Sequence, residues 1–158
     1  MLAFSITHFL LVIPALAAPA CIPSSPPAPT GAALATSTTG GVDPALVPDF
    51  GANPNPNPDG HGNCDGAVKD VTGKFILVPC DCPPPRDLFI TDLSANVAAG
   101  HCINNTAVSL SFPTSSSKAD QITRSQALLD TLQNLRGAGV GCPAVSTTFG
   151  VQLQQLTG

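Results

Sequence analysis

The chain has 158 residues, with ten acidic and six basic side chains and a formal net charge of −4 at pH 7. This length predicts a single domain. The Lys and Arg residues are scattered singly, which argues against nucleic-acid binding. The absence of Trp and Tyr argues against a carbohydrate platform of exposed aromatic rings. Every acidic residue is Asp, which favours turns and helix caps over helix interiors.

The first residues have the pattern of a secretory signal peptide. The apolar run at 9–18 is shorter than the roughly 20 residues that a membrane-spanning helix needs. The Ala-Leu-Ala sequence at 15–17 is typical of a cleavage site, although no Lys or Arg precedes the run. We predict a signal peptide over 1–17, with cleavage one or three residues later as alternatives, and a buried N-terminal helix as the other interpretation. The mature protein is expected to be secreted, extracellular and not membrane-spanning.

A proline-rich segment at 18–61 has the composition of a linker. Ten of the 17 prolines lie between Pro19 and Pro58. Because proline fixes φ and lacks a backbone donor, neither a helix nor a central strand is expected there. Ser and Thr interleaved with Pro favour O-glycosylation, with an unmodified linker as the alternative. We predict a disordered linker over 18–61 and a compact domain over 62–158.

Short strands and two main helices are predicted within the compact domain, which makes its fold class α+β. Strands are expected at 67–71 and 74–78, joined as a hairpin that turns at the Thr-Gly pair between them, and the apolar run at 75–78 is expected to be buried. A third strand is expected at 107–112, where apolar and polar residues alternate.

The two helices are predicted at 84–99 and 117–136. Apolar residues recur at three- and four-residue spacing in both segments, and a glycine follows each of them. Ser117 and Asp120 form a capping pair at the start of the second helix. The tail at 143–158 fits either an extended or a helical conformation.

Six cysteines follow the predicted cleavage site, and an even number in a secreted chain predicts disulfides. Cys80 and Cys82 are one residue apart and are expected to bond to different partners. Cys64 and Cys80 are equidistant from the hairpin turn, so Cys64–Cys80 is the preferred pair. Cys82 precedes the first helix and Cys142 follows the second, so Cys82–Cys142 is the second pair.

Cys21 and Cys102 remain as a third pair, Cys21–Cys102, which would tether the linker to the domain. Since Cys21 lies in the predicted linker, a free thiol and an intermolecular bond are the alternatives.

Neither a metal nor a cofactor is expected. The single residue between Cys80 and Cys82 does not match the ligand spacing of zinc sites. One segment has alternating polar residues that resemble a calcium loop, but it lacks the turn glycine and the closing Glu. A polar turn is therefore favoured for these residues, which are Asp59, His61, Asn63 and Asp65.

No catalytic residue is predicted. The sequence contains no nucleophile elbow, no His-Glu-x-x-His motif and no phosphate loop. His101 directly follows the first predicted helix, where it is more simply a residue that interacts with the helix dipole. With no Glu in the chain, a glycosidase pair would need two carboxylates from Asp81, Asp87 and Asp92.

One modification site is predicted. Asn104-Asn-Thr106 is an N-glycosylation sequon in the loop between the first helix and the third strand. Its position in a surface loop of a secreted protein favours a glycan on Asn104.

Five stretches of the domain carry a resemblance, namely VPCDCPP at 78–84, LSANVAAG at 93–100, VSLSFPT at 108–114, TLQNL at 131–135 and GVGCPA at 139–144. In these stretches the domain resembles a family of small, uncharacterised secreted proteins from mushroom-forming fungi. The resemblance implies an extracellular location and a small fold of helices and strands, but no activity. The family centres on four of the cysteines, which implies that Cys21 and Cys102 are additions and agrees with pairing them last.

We expect a secreted, non-enzymatic module that acts at the cell wall or another extracellular surface. One alternative is a secreted effector or inhibitor that binds a partner protein, which an exposed apolar patch would favour. A weaker alternative is a small extracellular hydrolase built on His101 and a nearby Asp.

Overall fold

The computed structural model describes residues 41–52 and 57–158. The predicted signal peptide, most of the predicted linker and Cys21 lie outside these residues. The described elements, in chain order, are strands β1 (Asn63–Lys69) and β2 (Phe75–Pro79), helix α1 (Arg86–Ala99), strands β3 (His101–Cys102) and β4 (Asn105–Ser109), and helices α2 (Lys118–Gln133) and α3 (Phe149–Thr157). Short 3-10 turns occur at Pro44–Leu46 and Ala144–Ser146. The predicted α+β class is confirmed.

Strands β1 and β2 form the predicted antiparallel hairpin. Asp65 lies opposite Leu77 and Lys69 lies opposite Phe75, with a shift in register between the two pairs. Strand β1 begins at Asn63 rather than at the predicted residue 67. Its backbone lies close to the second 3-10 turn. Gly66 permits this path, because a Cβ atom there would lie 2.7 Å from a carbonyl oxygen of that turn.

Helix α1 carries the apolar stripe that its spacing predicts. Phe89 and Leu93 are completely buried, and Ile90 and Val97 pack against the same core. Gly100 follows the helix with a φ of 73°, and its N–H donates to the carbonyl of Val97. The predicted glycine stop is therefore confirmed, because this left-handed conformation favours glycine.

Helix α2 begins as predicted, since the hydroxyl of Ser117 accepts a hydrogen bond of 3.2 Å from the N–H of Asp120. It ends before the predicted boundary at 136. In a longer helix the carbonyl of Leu132 would accept from the N–H of Arg136. Here the chain turns back and the N–H of Cys142 donates to that carbonyl at 2.9 Å, which ends the helix.

A second antiparallel sheet contains only the short strands β3 and β4. The strand predicted at 107–112 is present at Asn105–Ser109, so its location is right and its end was placed too late. Strand β3 has two residues, too few for an alternating pattern, and was not predicted. The tail at 143–158, for which the sequence fitted either an extended or a helical conformation, contains helix α3. Phe149 of this helix is completely buried.

Two disulfides connect these elements, and both are among the predicted pairs. Cys64 is bonded to Cys80 and Cys82 to Cys142, with Cα–Cα distances of 4.8 and 5.5 Å. The first bond joins the ends of the hairpin. The second joins the chain before α1 to the chain after α2. Their sequence separations of 16 and 60 residues correspond to chain-entropy contributions of about 3 and about 4 kcal/mol.

The N-terminal strap, defined as residues 41–52, is part of the domain core. Val42, Val47 and Phe50 are buried there. The segment 18–61 is therefore not linker throughout, and the domain extends beyond the predicted start at 62. Within the strap, Pro44 begins the first 3-10 turn and the remaining residues follow an irregular path, so a proline-rich composition does not prevent side chains from being buried.

Three phenylalanine rings join the strap to α1 and α3. The centroid of the Phe50 ring lies 5.3 Å from that of Phe89 and 5.5 Å from that of Phe149, with edge-to-face geometry in both pairs. Phe89 and Phe149 are 5.8 Å apart. Such aromatic pairs contribute roughly 0.5–1.5 kcal/mol beyond the burial of their surface.

Arg86, the first residue of α1, binds the backbone of the strap. Its guanidinium donates to the carbonyl of Pro48 at 2.8 Å and to that of Pro44 at 3.2 Å, and it lies 5.9 Å from the centroid of the Phe50 ring. Farther along α1, the hydroxyl of Ser94 accepts from the N–H of Val42 at 2.9 Å. These contacts satisfy strap backbone groups that have no partner strand.

Phe50→Ala should lower the free energy of unfolding by about 3–5 kcal/mol, because it removes a buried aromatic side chain and leaves a cavity. Chemical denaturation of the secreted chain measures the change. Phe50→Leu is the milder variant if the alanine variant does not fold.

Asp49→Asn is the matched control. Asp49 precedes Phe50, its side chain is 99% exposed, and its carboxylate lies 3.9 Å from Arg86. An exposed ion pair of this kind contributes at most about 1 kcal/mol. If Phe50→Ala and Asp49→Asn had equally small effects, the strap would not belong to the folded core.

Candidate functional sites

The residues that resemble a calcium loop form a compact polar turn. One carboxylate oxygen of Asp59 accepts from the backbone N–H groups of His61 and Asn63 at 2.7 and 3.0 Å, and the other accepts from the Asn63 amide at 3.0 Å. These hydrogen bonds hold the pKa of Asp59 below its ordinary value. Asp65 instead accepts from the amide of Asn57 at 2.9 Å. Within 41–52 and 57–158, no three His, Cys, Asp or Glu side chains are grouped as a metal site.

The predicted acidic candidates do not meet at His101. His101 is half-buried in β3, opposite Ser109. Asp81 forms an ion pair with Arg136. Among the described residues, the imidazole of His101 makes no hydrogen bond or ion pair with an aspartate.

The remaining two candidate aspartates have separate surroundings. Asp87 lies in the first turn of α1, as expected for a residue that favours a helix N-terminus. Asp92 lies one turn later and borders a cleft, and burial raises the pKa of its carboxyl. Nothing in these positions pairs the two carboxylates.

A cleft of about 150 Å³ with both polar and apolar lining residues lies between α1, α2 and the β3–β4 connection. At its base the amide of Asn96 donates to the hydroxyl of Thr131 at 3.2 Å, and its oxygen accepts from the N–H of Ile103 at 2.8 Å. At its rim the amide of Asn104 donates to the carbonyl of Leu135 at 2.7 Å. The cleft thus combines satisfied amides with the apolar side chains of Ile103 and Leu135.

A second set of asparagine contacts holds the start of β4 against the end of α2. The amide of Asn105 donates to the side-chain oxygen of Asn134 at 2.9 Å, and the same oxygen accepts from the N–H of Gly139 at 2.8 Å. Only the contacts at the base of the cleft had a signal in the sequence, since Asn96 is a polar residue that borders the apolar stripe of α1. Its partners could not be identified from the sequence, because Thr131 lies on another helix and Ile103 lies in the connection between β3 and β4.

Cys102 is buried beside α2 and has no disulfide partner among the described residues. Burial, together with the negative charge of Asp130, raises the pKa of its thiol above the ordinary value of 9.0. The predicted Cys21–Cys102 bond includes a residue outside the described part of the chain.

Three large apolar side chains of the hairpin and its turn are exposed. We define the hairpin face as Phe75, Leu77 and the turn residue Val71. Phe75 and Leu77 are 43% and 52% exposed, and Val71 is fully exposed. The ammonium group of Lys69 lies 4.8 Å from the centroid of the Phe75 ring. Adjacent exposed apolar side chains are typical of binding surfaces.

Hydrogen bonds to the Asp70 side chain hold the hairpin turn in a defined conformation. One oxygen of Asp70 accepts from the backbone N–H groups of Thr72 and Lys74, at 2.8 and 3.1 Å, and from the hydroxyl of Thr72 at 2.7 Å. These bonds lower the pKa of Asp70 and fix the turn. Gly73 completes it with a φ of 85°.

No family model, curated protein or solved structure matches the chain. The resemblance to small secreted fungal proteins therefore stays a prediction. None of the described helices has the length and apolar character needed to cross a membrane.

The thiol of Cys102 should be unreactive in the folded domain. In a Cys21→Ala variant it is the one thiol outside the two disulfides. We expect this thiol to react with a chromogenic thiol reagent at least about 100-fold faster in denaturant than in buffer. The reason is that burial in the folded domain shields the sulfur from the reagent and favours the unreactive protonated form. Equal rates in the two conditions would contradict the buried position.

The raised pKa of the Cys102 thiol also determines how the stability of the domain changes with pH. The folded state favours the protonated thiol, so its contribution to stability is present below pH 9 and is lost as pH rises through the folded-state pKa. The Cys21→Ala variant should therefore lose stability above pH 9 more steeply than Cys21→Ala with Cys102→Ala. Denaturant midpoints at a series of pH values measure the difference.

Proposed function

We propose that this protein is a secreted, non-enzymatic binding module that acts at a cell wall or another extracellular surface. The observation that carries the proposal is the apolar hairpin face, exposed on a hairpin whose ends the Cys64–Cys80 disulfide joins. Disulfides persist in oxidising compartments, which supports an extracellular setting. The resemblance to secreted fungal proteins and the predicted signal peptide support the same location.

The hairpin face suits contact with a large or extended partner better than it suits catalysis. Phe75 and Leu77 project from one side of β2, and Val71 lies at the turn. Burying these three side chains removes apolar surface from water and stabilises a complex. Lys69, whose ammonium group lies 4.8 Å from the centroid of the Phe75 ring, adds one positive charge beside these apolar side chains.

A second candidate function is a secreted effector or inhibitor that binds one partner protein. The same observation favours it, because exposed apolar patches also mark protein–protein interfaces. The two candidates differ in where the protein is found. A wall module is retained by insoluble material, whereas an effector is released and forms a soluble complex.

Fractionation of a secreting fungal culture tests the first candidate. We expect the full chain, with its signal removed and its two described disulfides formed, to remain in the washed cell-wall fraction. Recovery of the protein entirely as a free monomer in the medium would contradict wall association.

Substitution of the hairpin face tests which surface is responsible. The double variant Phe75→Ser, Leu77→Ser should reduce the wall-bound fraction about tenfold or more, since the lost burial of two large apolar side chains exceeds 1.4 kcal/mol. Leu88→Ser is the matched control, because Leu88 is a similar exposed apolar residue on α1. An equal loss in both variants would count against the hairpin face.

The same pair of variants decides the second candidate. If the protein stays in the medium and elutes in a stoichiometric complex with one protein, loss of that complex in the hairpin variant but not in Leu88→Ser would support an effector. A complex unaffected by the hairpin variant would rule out the hairpin face as its binding surface, and the absence of any complex would contradict the effector.

A further inference from the structure

The chain contains one N-glycosylation sequon, Asn104-Asn-Thr106. Asn104 lies in the connection between β3 and β4, and the side chains of Asn104 and Thr106 are both exposed. The folded domain therefore has room for a sugar on this amide. No other Asn in the chain is followed by the x-Ser/Thr pattern with a permitted middle residue.

We propose that Asn104 carries an N-linked glycan and that its first N-acetylglucosamine lies in the cleft between α1 and α2. The proposal rests on the proposed secretion, because the glycan is added in the secretory pathway. It goes further by assigning the modified atom, the surface that receives the sugar and an effect on stability.

The modification is compatible with the local hydrogen bond. In the transfer, a bond forms between Nδ2 of Asn104 and C1 of the sugar, the bond between C1 and a lipid diphosphate donor breaks, and the lipid diphosphate leaves. Nδ2 gives up one of its two protons. The other N–H remains available to donate to the carbonyl of Leu135, which Nδ2 contacts at 2.7 Å.

This hydrogen bond places the sugar beside the cleft. Nδ2 of Asn104 is held against the end of α2, and Asn104 itself lines the cleft together with Ile103 and Leu135. A sugar attached there starts at the rim of a cavity of about 150 Å³ rather than in open solvent. The cleft can take part of the first sugar, such as its acetamido group.

The chemistry of the cleft matches that of a sugar ring. Ile103 is 53% exposed, so a sugar face packed on it would remove apolar surface from water. Asn96 and Thr131 already satisfy each other at the base. Asp92 borders the cleft and can accept a hydrogen bond from a sugar hydroxyl or from the acetamido N–H.

Mass spectrometry of the protein secreted by a yeast host tests the modification. The wild-type chain should carry one glycan, on the peptide that contains Asn104. Thr106→Ala should abolish it, and Thr106→Ser, the matched control, should retain it. Secreted, disulfide-bonded protein without a glycan would overturn this proposal and leave the proposed function standing, whereas a chain that never leaves the cell would overturn both.

Thermal unfolding tests the position of the first sugar. An endoglycosidase trims the wild-type glycan to a single N-acetylglucosamine, and this form should keep the melting temperature of the fully glycosylated protein. The unglycosylated Thr106→Ala variant should melt about 2–4 °C lower, the change expected when about 0.5 kcal/mol is lost from a domain of this size. Equal melting temperatures of trimmed wild type and Thr106→Ala would overturn the cleft position.

A double-mutant cycle separates sugar packing from a general effect of the glycan. In an Ile103→Ser background the gap in melting temperature between trimmed protein and the Thr106→Ala variant should close to less than half, because the apolar support for the sugar is gone. An unchanged gap would assign the stabilisation to something other than contact with Ile103.

Discussion

The contact among Phe50, Phe89 and Phe149 is the constraint on which the rest of the domain depends. It brings together the strap, α1 and α3, which are far apart in the chain. A domain of this size has little apolar surface to bury, so each such contact is a large part of its stability. The Cys82–Cys142 bond acts beside it by limiting how far the unfolded chain can spread.

Local patterns predicted the elements that local interactions determine. The spacing of apolar residues located α1 and α2, and the cysteine positions around the turn located both described disulfides. The strap was mistaken for linker because its sequence has no period, and its burial depends on Arg86 and on a ring from α3. The end of α2 was misplaced for a similar reason, since Cys142 takes the carbonyl that would continue the helix.

Less of the candidate sites could be predicted than of the fold. The sequon is a linear motif, so Asn104 was found directly, but the cleft beside it exists only because α1 and α2 pack with Asn96 against Thr131. The continuous apolar run at 75–78 predicted a buried strand, which is wrong for Phe75 and Leu77 and right for Val78. Whether another element covers a side of the strand is a matter of tertiary packing, and among the described residues Phe75 and Leu77 remain exposed. The polar turn at Asp59 was predictable because its hydrogen bonds are all local.

Arg86 recognises the strap through carbonyl oxygens, and every residue type supplies a carbonyl. The path of the strap is therefore largely independent of which side chains stand between its buried positions. Related chains can diverge freely at those intervening positions while the strap keeps its course, provided that the arginine and the buried apolar residues remain. Sequence identity across the strap would consequently understate the structural similarity of two such domains. An arginine at the start of the first helix would be the better indicator that two domains share this strap.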